Sequence, residues 1–86
     1  MNKDTITTNE AMVLQQVYED GEDDIRSLSY ELGITRQRAI QEALKLEQKG
    51  LLTFRNSFDG LLLKVSGRGR AMVRQLWPEA QLTVVW

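Results

Sequence analysis

ITRQRAIQEALKLEQKGLL, residues Ile34 to Leu52, is the stretch on which the fold of this 86-residue chain turns. Thr35 is suited to a helix N-cap, because its hydroxyl accepts one of the amide protons that a first turn leaves free. Gly50 is the stop, since glycine enters the left-handed cap conformation without steric cost. At about 100° per residue, Ala39, Ile40, Ala43, Leu46 and the stem of Glu47 fall on one side of this helix. Gln37, Arg38, Gln41, Lys45, Gln48 and Lys49 fall on the other, a face of amide and cationic donors without an acid. Donors of this kind suit the floor of a DNA major groove, where Arg and Lys read guanine and Gln reads adenine. An amphipathic helix with a merely solvated face carries the same pattern, so the flanking segments decide.

Upstream, TTNEAMVLQQVYED carries Thr7 and, three residues on, Glu10, the signature of a capping box. Val13, Leu14, Val17 and Tyr18 form its apolar stripe, and Gly21 closes it. The next segment, DDIRSLSYELG, spaces Ile25, Leu28 and Leu32 helically, with Asp23 or Asp24 at the cap and Gly33 as terminator. Only Gly33 and Ile34 separate it from Thr35, which makes a helix-turn-helix. Downstream the period changes. LLTFRN and LLLKVS are β-rich runs joined through Ser57-Phe58-Asp59-Gly60, and Asp-Gly is a hairpin signal. They predict strands over Leu51–Arg55 and Leu61–Val65. GRGRAMVRQLW is a last helix carrying Ala71, Met72, Val73, Leu76 and Trp77, halted by Pro78. The tail QLTVVW (Gln81 to Trp86) is apolar and β-prone. The organisation expected is a flexible N-terminus over 1–7, one domain over 8–77 and an apolar tail over 78–86.

Composition narrows the function classes. With 42% hydrophobic and 27% charged residues, the chain reads as one soluble domain burying roughly 60–65% of its unfolded surface. It has no cysteine and no histidine, which excludes disulfides, thiolate or imidazole metal sites, Ser-His pairs and Cys nucleophiles. No catalytic constellation, metal site or cofactor is expected: the carboxylates crowd one charged turn, and GRGR is too short for a phosphate loop. The apolar runs fall short of the ~20 residues of a membrane span, and MNKDTITTNE lacks a signal-peptide core, so a cytoplasmic location is expected. Net charge is −1, but it is unevenly spread. Residues 1–34 hold two cations against eight acids, and residues 35–86 hold nine cations against four acids. The cluster EDGEDD (Glu19 to Asp24) is far from the basic helix in sequence, so the expectation is a polarised molecule whose positive side meets phosphate.

Helix, helix-turn-helix, hairpin, helix is the order of a winged helix, and the wording resembles the multiple-antibiotic-resistance-regulator (MarR) family. The matching residues are Leu28 to Leu32 with Gly33-Ile34-Thr35, Leu46 with Lys49-Gly50-Leu51-Leu52, and Val65-Ser66 followed by Gly69-Arg70. The resemblance spans about Thr7 to Leu76 and implies an α+β winged helix-turn-helix: three helices, a two-stranded β-wing, an additional C-terminal helix and the apolar tail. It departs at the wing, where Asp59-Gly60-Leu61 lacks the family's arginine. The flanking helices that build the family's dimers are also expected to be largely missing from so short a chain.

On this reading Gln37, Arg38, Gln41 and Lys45 read bases, while Arg36, Lys49, Arg55 and Lys64 lie on phosphates of double-stranded DNA. Arg55 and Lys64 are equally suited to be strand-edge charges that discourage aggregation. Arg68, Arg70 and Arg74 open the last helix; Arg70 either braces the wing through a carboxylate such as Asp59 or binds DNA. Phe54, Phe58 and Trp77 are candidate stacking residues; Phe54 and Trp77 are expected in the core instead, while Phe58 is expected exposed at the hairpin tip, where an aromatic can be a partner contact. The function expected is a small DNA-binding transcription regulator. The alternative is a winged-helix protein-interaction module that uses the acidic half or the tail. Leu82, Val84, Val85 and Trp86 are expected to pair with a second copy in a homodimer, or else to add a third strand beside the wing.

Overall fold

The structure, a computed structural model, describes residues 6–58 and 60–77. Within them the order is α1 (Thr8–Asp20), β1 (Asp23–Asp24), α2 (Ile25–Leu32), α3 (Arg36–Gln48), β2 (Leu52–Ser57), β3 (Gly60–Val65) and α4 (Gly67–Leu76). The expected α+β winged helix-turn-helix is the fold observed.

Side-chain caps fix where the helices begin. Thr7 and Glu10 form the capping box: Glu10 N–H donates to Thr7 Oγ1 at 3.1 Å, and Thr7 N–H donates to Glu10 Oε1 at 2.7 Å. Asp24, not Asp23, caps α2 by accepting from Ser27 N–H at 2.7 Å. Thr35 caps α3 by accepting from Arg38 N–H at 3.0 Å. Between those two helices Gly33 sits at φ 68°, ψ 32°, a left-handed conformation that costs other residues sterically. That single residue turns the chain from α2 into α3.

The sheet corrects the expected two-stranded wing. It has three antiparallel strands in the order β1-β3-β2. Asp23 and Asp24 pair with Leu63 and Leu62 through the backbone. Two acids gave no apolar alternation to read, because ladder hydrogen bonds do not require β-prone side chains. The hairpin strands run slightly longer than predicted and reach the Ser57↔Gly60 pair.

Val13, Leu14 and Val17 of α1, Leu28 of α2, Ala39, Ala43 and Leu46 of α3, and Leu52, Leu63, Val65 and Val73 around them form one buried core. Phe54 and Trp77 pack against it, as expected. On α3 the buried stripe differs from the predicted one. Glu42 is only 2% exposed, whereas Ile40 is 43% exposed and Glu47 is exposed. The helix is rolled by roughly half a residue step, so that Ala39, Glu42, Ala43 and Leu46 face α1 and α2.

Ser66 seats α4. Its hydroxyl accepts from Gly69 N–H at 2.9 Å and donates to Gly50 O at 2.6 Å, while Ser66 N–H donates to Leu51 O at 3.0 Å. Gly69 therefore lies hard against the chain leaving α3: a Cβ there would collide with the Leu51 carbonyl and the Val65 side chain. Arg70 Nη1 donates to Val65 O at 3.2 Å. The suggested brace to Asp59, and both dispositions of the tail, fall outside the described residues. Among the described residues, no helix is long and apolar enough to cross a membrane.

Candidate nucleic-acid interface

The outer face of α3 presents Arg36, Gln37, Arg38, Gln41 and Lys45, all exposed. The Arg38 and Lys45 side chains are 54% and 56% exposed, and both lean toward the buried Glu42 beneath them. Glu42 Oε2 is 3.8 Å from Arg38 Nη1 and 3.9 Å from Lys45 Nζ. These are ion-pair separations beyond hydrogen-bond length, so the cationic heads feel the carboxylate without being locked to it. Glu42 Oε1 is buried with no hydrogen-bond partner, next to a cavity of about 80 Å³ that also touches Met12, Val13 and Leu32. Sequence reasoning missed Glu42. The signal was present in its spacing, four residues after Arg38 and three before Lys45, which places one acid between two cations.

Lys49 departs from the expected outward face. Its Nζ lies 3.0 and 2.9 Å from the two carboxylate oxygens of Glu10, and Glu10 is 1% exposed. The lysine closes the last turn of α3 onto the first turn of α1. Burial pushes the Glu10 carboxyl upward, but the hydrogen bond from Thr7 N–H and the charge and hydrogen bonds of Lys49 outweigh it and hold the group below the usual carboxylate range.

On the wing, Thr53 pairs with Lys64 and Arg55 with Leu62, so Arg55 and Lys64 project from one face of the hairpin. Arg55 is 70% exposed, and its Nη2 donates to Glu22 Oε2 at 3.2 Å. Phe58 at the tip is fully exposed, as expected.

The acidic turn is not remote from the basic helix. Asp20, Asp23 and Glu31 line one open pocket of about 720 Å³ together with Arg26, Tyr30 and Arg36, the first residue of α3. With Glu22 on Arg55, the acids reach both the hairpin and the start of α3, which corrects the expected separation of charge. Asp23 is buried, and its carboxyl is pushed up to about 8, first by burial and then by Asp20, Glu31 and Asp24. Asp20 is held below its usual range, first through its hydrogen bond with Asp23 and then that from Gln16.

No family model matches the chain, and no curated protein matches it. Solved structures do. The fold is similar to YusO from Bacillus subtilis, with a TM-score of 0.82 at 15% identity over 96% of this chain and 61% of that one. It is similar to Streptococcus pneumoniae FabT, solved in complex with DNA, with a TM-score of 0.81 at 20% identity over 92% of this chain and 57% of that one. It is similar to MarR from E. coli in its oxidized form, with a TM-score of 0.77 at 21% identity over 81% of this chain and 52% of that one. The chain thus spans between half and about three fifths of these structures, and the winged-helix fold of the MarR kind is the one it adopts.

Proposed function

We propose that the chain is the DNA-binding domain of a transcription regulator, with α3 in the major groove. The observation that carries this reading is the outer face of α3, where Gln37, Arg38, Gln41 and Lys45 stand exposed side by side with donors. Two of the solved neighbours with this fold, FabT and a mutant of E. coli MarR, were solved with DNA, the second with operator DNA. Arg36 at the start of α3 and Arg55 and Lys64 on the wing serve phosphates. Lys49 is reassigned to holding α3 on α1.

Fluorescence anisotropy of the full chain against duplexes selected from a randomised library, at two salt concentrations, tests the reading. Affinity should fall steeply with salt through counterion release, with a slope of about −0.9 per neutralised phosphate. Arg38→Ala and Gln41→Ala should each weaken binding to the selected sequence by ~1–3 kcal/mol and relax base preference locally. Absence of binding at low salt sinks the proposal.

A second reading, a protein-interaction module, draws on Phe58 and Tyr30, which are fully and 88% exposed. Phe58→Ser would then abolish partner capture while leaving any DNA binding intact. The proposed homodimer through residues 81–86 is checked by sedimentation before and after truncation following Glu79. A monomer at high micromolar concentration in the full chain removes it.

A further inference from the structure

We propose that Asp20, Asp23 and Glu31 form a binding site for a hard divalent cation of calcium's size. Three elements converge there: the last residue of α1, the first residue of β1, and α2. One carboxylate oxygen from each lies within 4.8 Å of the others. Two oxygens on one ion are separated by at most twice the metal–oxygen bond. That limit is about 4.6–5.2 Å for Ca²⁺ and about 4.0–4.2 Å for Mg²⁺. A separation as wide as 4.8 Å can be spanned by Ca²⁺ and not by Mg²⁺. A chain with neither histidine nor cysteine offers only oxygen donors here, the set preferred by hard cations.

Proximity of acids alone would not carry the assignment; Asp23 does. It is 6% exposed, it lines the pocket shared with the other two acids, and no donor of the protein reaches its Oδ2. A buried carboxylate oxygen without a partner costs free energy unless a proton or a cation completes it; in the metal-free fold Asp23 shares a proton with Asp20, and a bound cation would displace that proton. Arg26 and Arg36 line the same pocket, yet neither forms an ion pair with the three carboxylates among the described residues. Gln16 holds the two exposed acids in place, donating from Nε2 to Asp20 Oδ2 at 3.1 Å and to Glu31 Oε2 at 3.3 Å. The backbone pairing of Asp23 with Leu63 fixes the third. The ligands are thus pre-positioned, and the open side of the pocket leaves room for the waters that fill the remaining coordination positions of such an ion.

A bound cation would fasten the C-terminal end of α1 to α2 and neutralise acids close to Arg36. Its presence is testable without any DNA, so failure here is distinguishable from failure of the DNA-binding reading. The experiment is calorimetric titration of the full chain, stripped with a chelator, with CaCl₂ and separately with MgCl₂, alongside melting curves in each salt. One Ca²⁺ site is expected, with a Kd on the order of 10⁻⁴–10⁻³ M, weaker Mg²⁺ binding, and a melting temperature that climbs with Ca²⁺ concentration. Asp23→Asn and Glu31→Gln should each weaken Ca²⁺ binding at least tenfold, with circular dichroism confirming that the fold is kept. Because Glu31 is exposed, its variant keeps the test decisive if Asp23→Asn folds poorly. No saturable Ca²⁺ binding at about 10 mM, or binding undiminished in the Glu31 variant, overturns the proposal. Mg²⁺ binding as tight as Ca²⁺ overturns the size assignment.

Discussion

Replacing Lys49 with alanine separates a residue that holds the fold from one that grips DNA. Its ammonium is shared between both oxygens of Glu10 at 3.0 and 2.9 Å, with the lysine side chain 27% and the glutamate side chain 1% exposed. Removing one partner of a fully buried pair costs roughly 3–5 kcal/mol, because the other charge stays behind uncompensated. Two features reduce that here. Lys49 is open enough for water to reach the vacated position, and Thr7 N–H still donates to Glu10 Oε1 at 2.7 Å. The expected loss is therefore about 2–3 kcal/mol. At ~4–8 °C per kcal/mol for a domain of this size, the melting temperature at pH 7 should drop by roughly 10–20 °C. Adding Glu10→Gln to Lys49→Ala should recover part of the loss, since the stranded charge is gone. The pH dependence has a definite sign. A carboxyl held below its usual range stabilises the fold above the ordinary glutamate pKa, and that contribution disappears as pH falls through the folded value. Acid should therefore narrow the gap between wild type and Lys49→Ala. A variant that melts within two or three degrees of wild type, roughly the effect of a surface substitution, while losing DNA affinity evenly across sequences, would refute this assignment.

Leu46→Ala should cost ~2–5 kcal/mol in chemical denaturation, because a fully buried leucine in the last turn of α3 leaves a cavity in the core; a loss below 1 kcal/mol would mean that the core closes around it. Gly69→Ala should destabilise by ~1–3 kcal/mol or more, since the Leu51 carbonyl that its Cβ would strike is backbone and cannot swing aside; an unchanged urea midpoint contradicts the packing. Asp23→Asn, measured in chelator, should gain stability over wild type as pH rises from about 4 toward 8. The wild-type carboxyl stays protonated in the fold up to about 8, against 3.8 ordinarily, so the stability this provides is lost across that window. An equal difference in melting temperature at pH 5 and pH 8.5 would contradict it.

What the sequence made legible is what local chemistry encodes. Thr7, Thr35 and Gly33 announce caps and a turn through their own backbone preferences, and all three act where predicted. The stripes of α1 and α2 followed from spacing alone. What stayed hidden depends on neighbours distant in sequence. Lys49 looked like one more outward cation, because its partner Glu10 stands 39 residues earlier and its capping role already accounted for it. Glu42 was passed over because an acid in a helix normally belongs to the solvent side, yet α1 and α2 bury it. The outward set Gln37, Arg38, Gln41 and Lys45 stays exposed after this roll of α3, although Arg38 and Lys45 lean back toward Glu42 at the seam.

The two residues of β1 have a mechanical consequence. By pairing with Leu62 and Leu63 they hitch the turn between α1 and α2 to the inner strand of the hairpin, and the Glu22–Arg55 contact adds a second tie to the outer strand. The wing is therefore not a free flap hung from the end of α3. It is tied at two points to the turn that ends α1, so a substitution that moves this turn would move the hairpin with it.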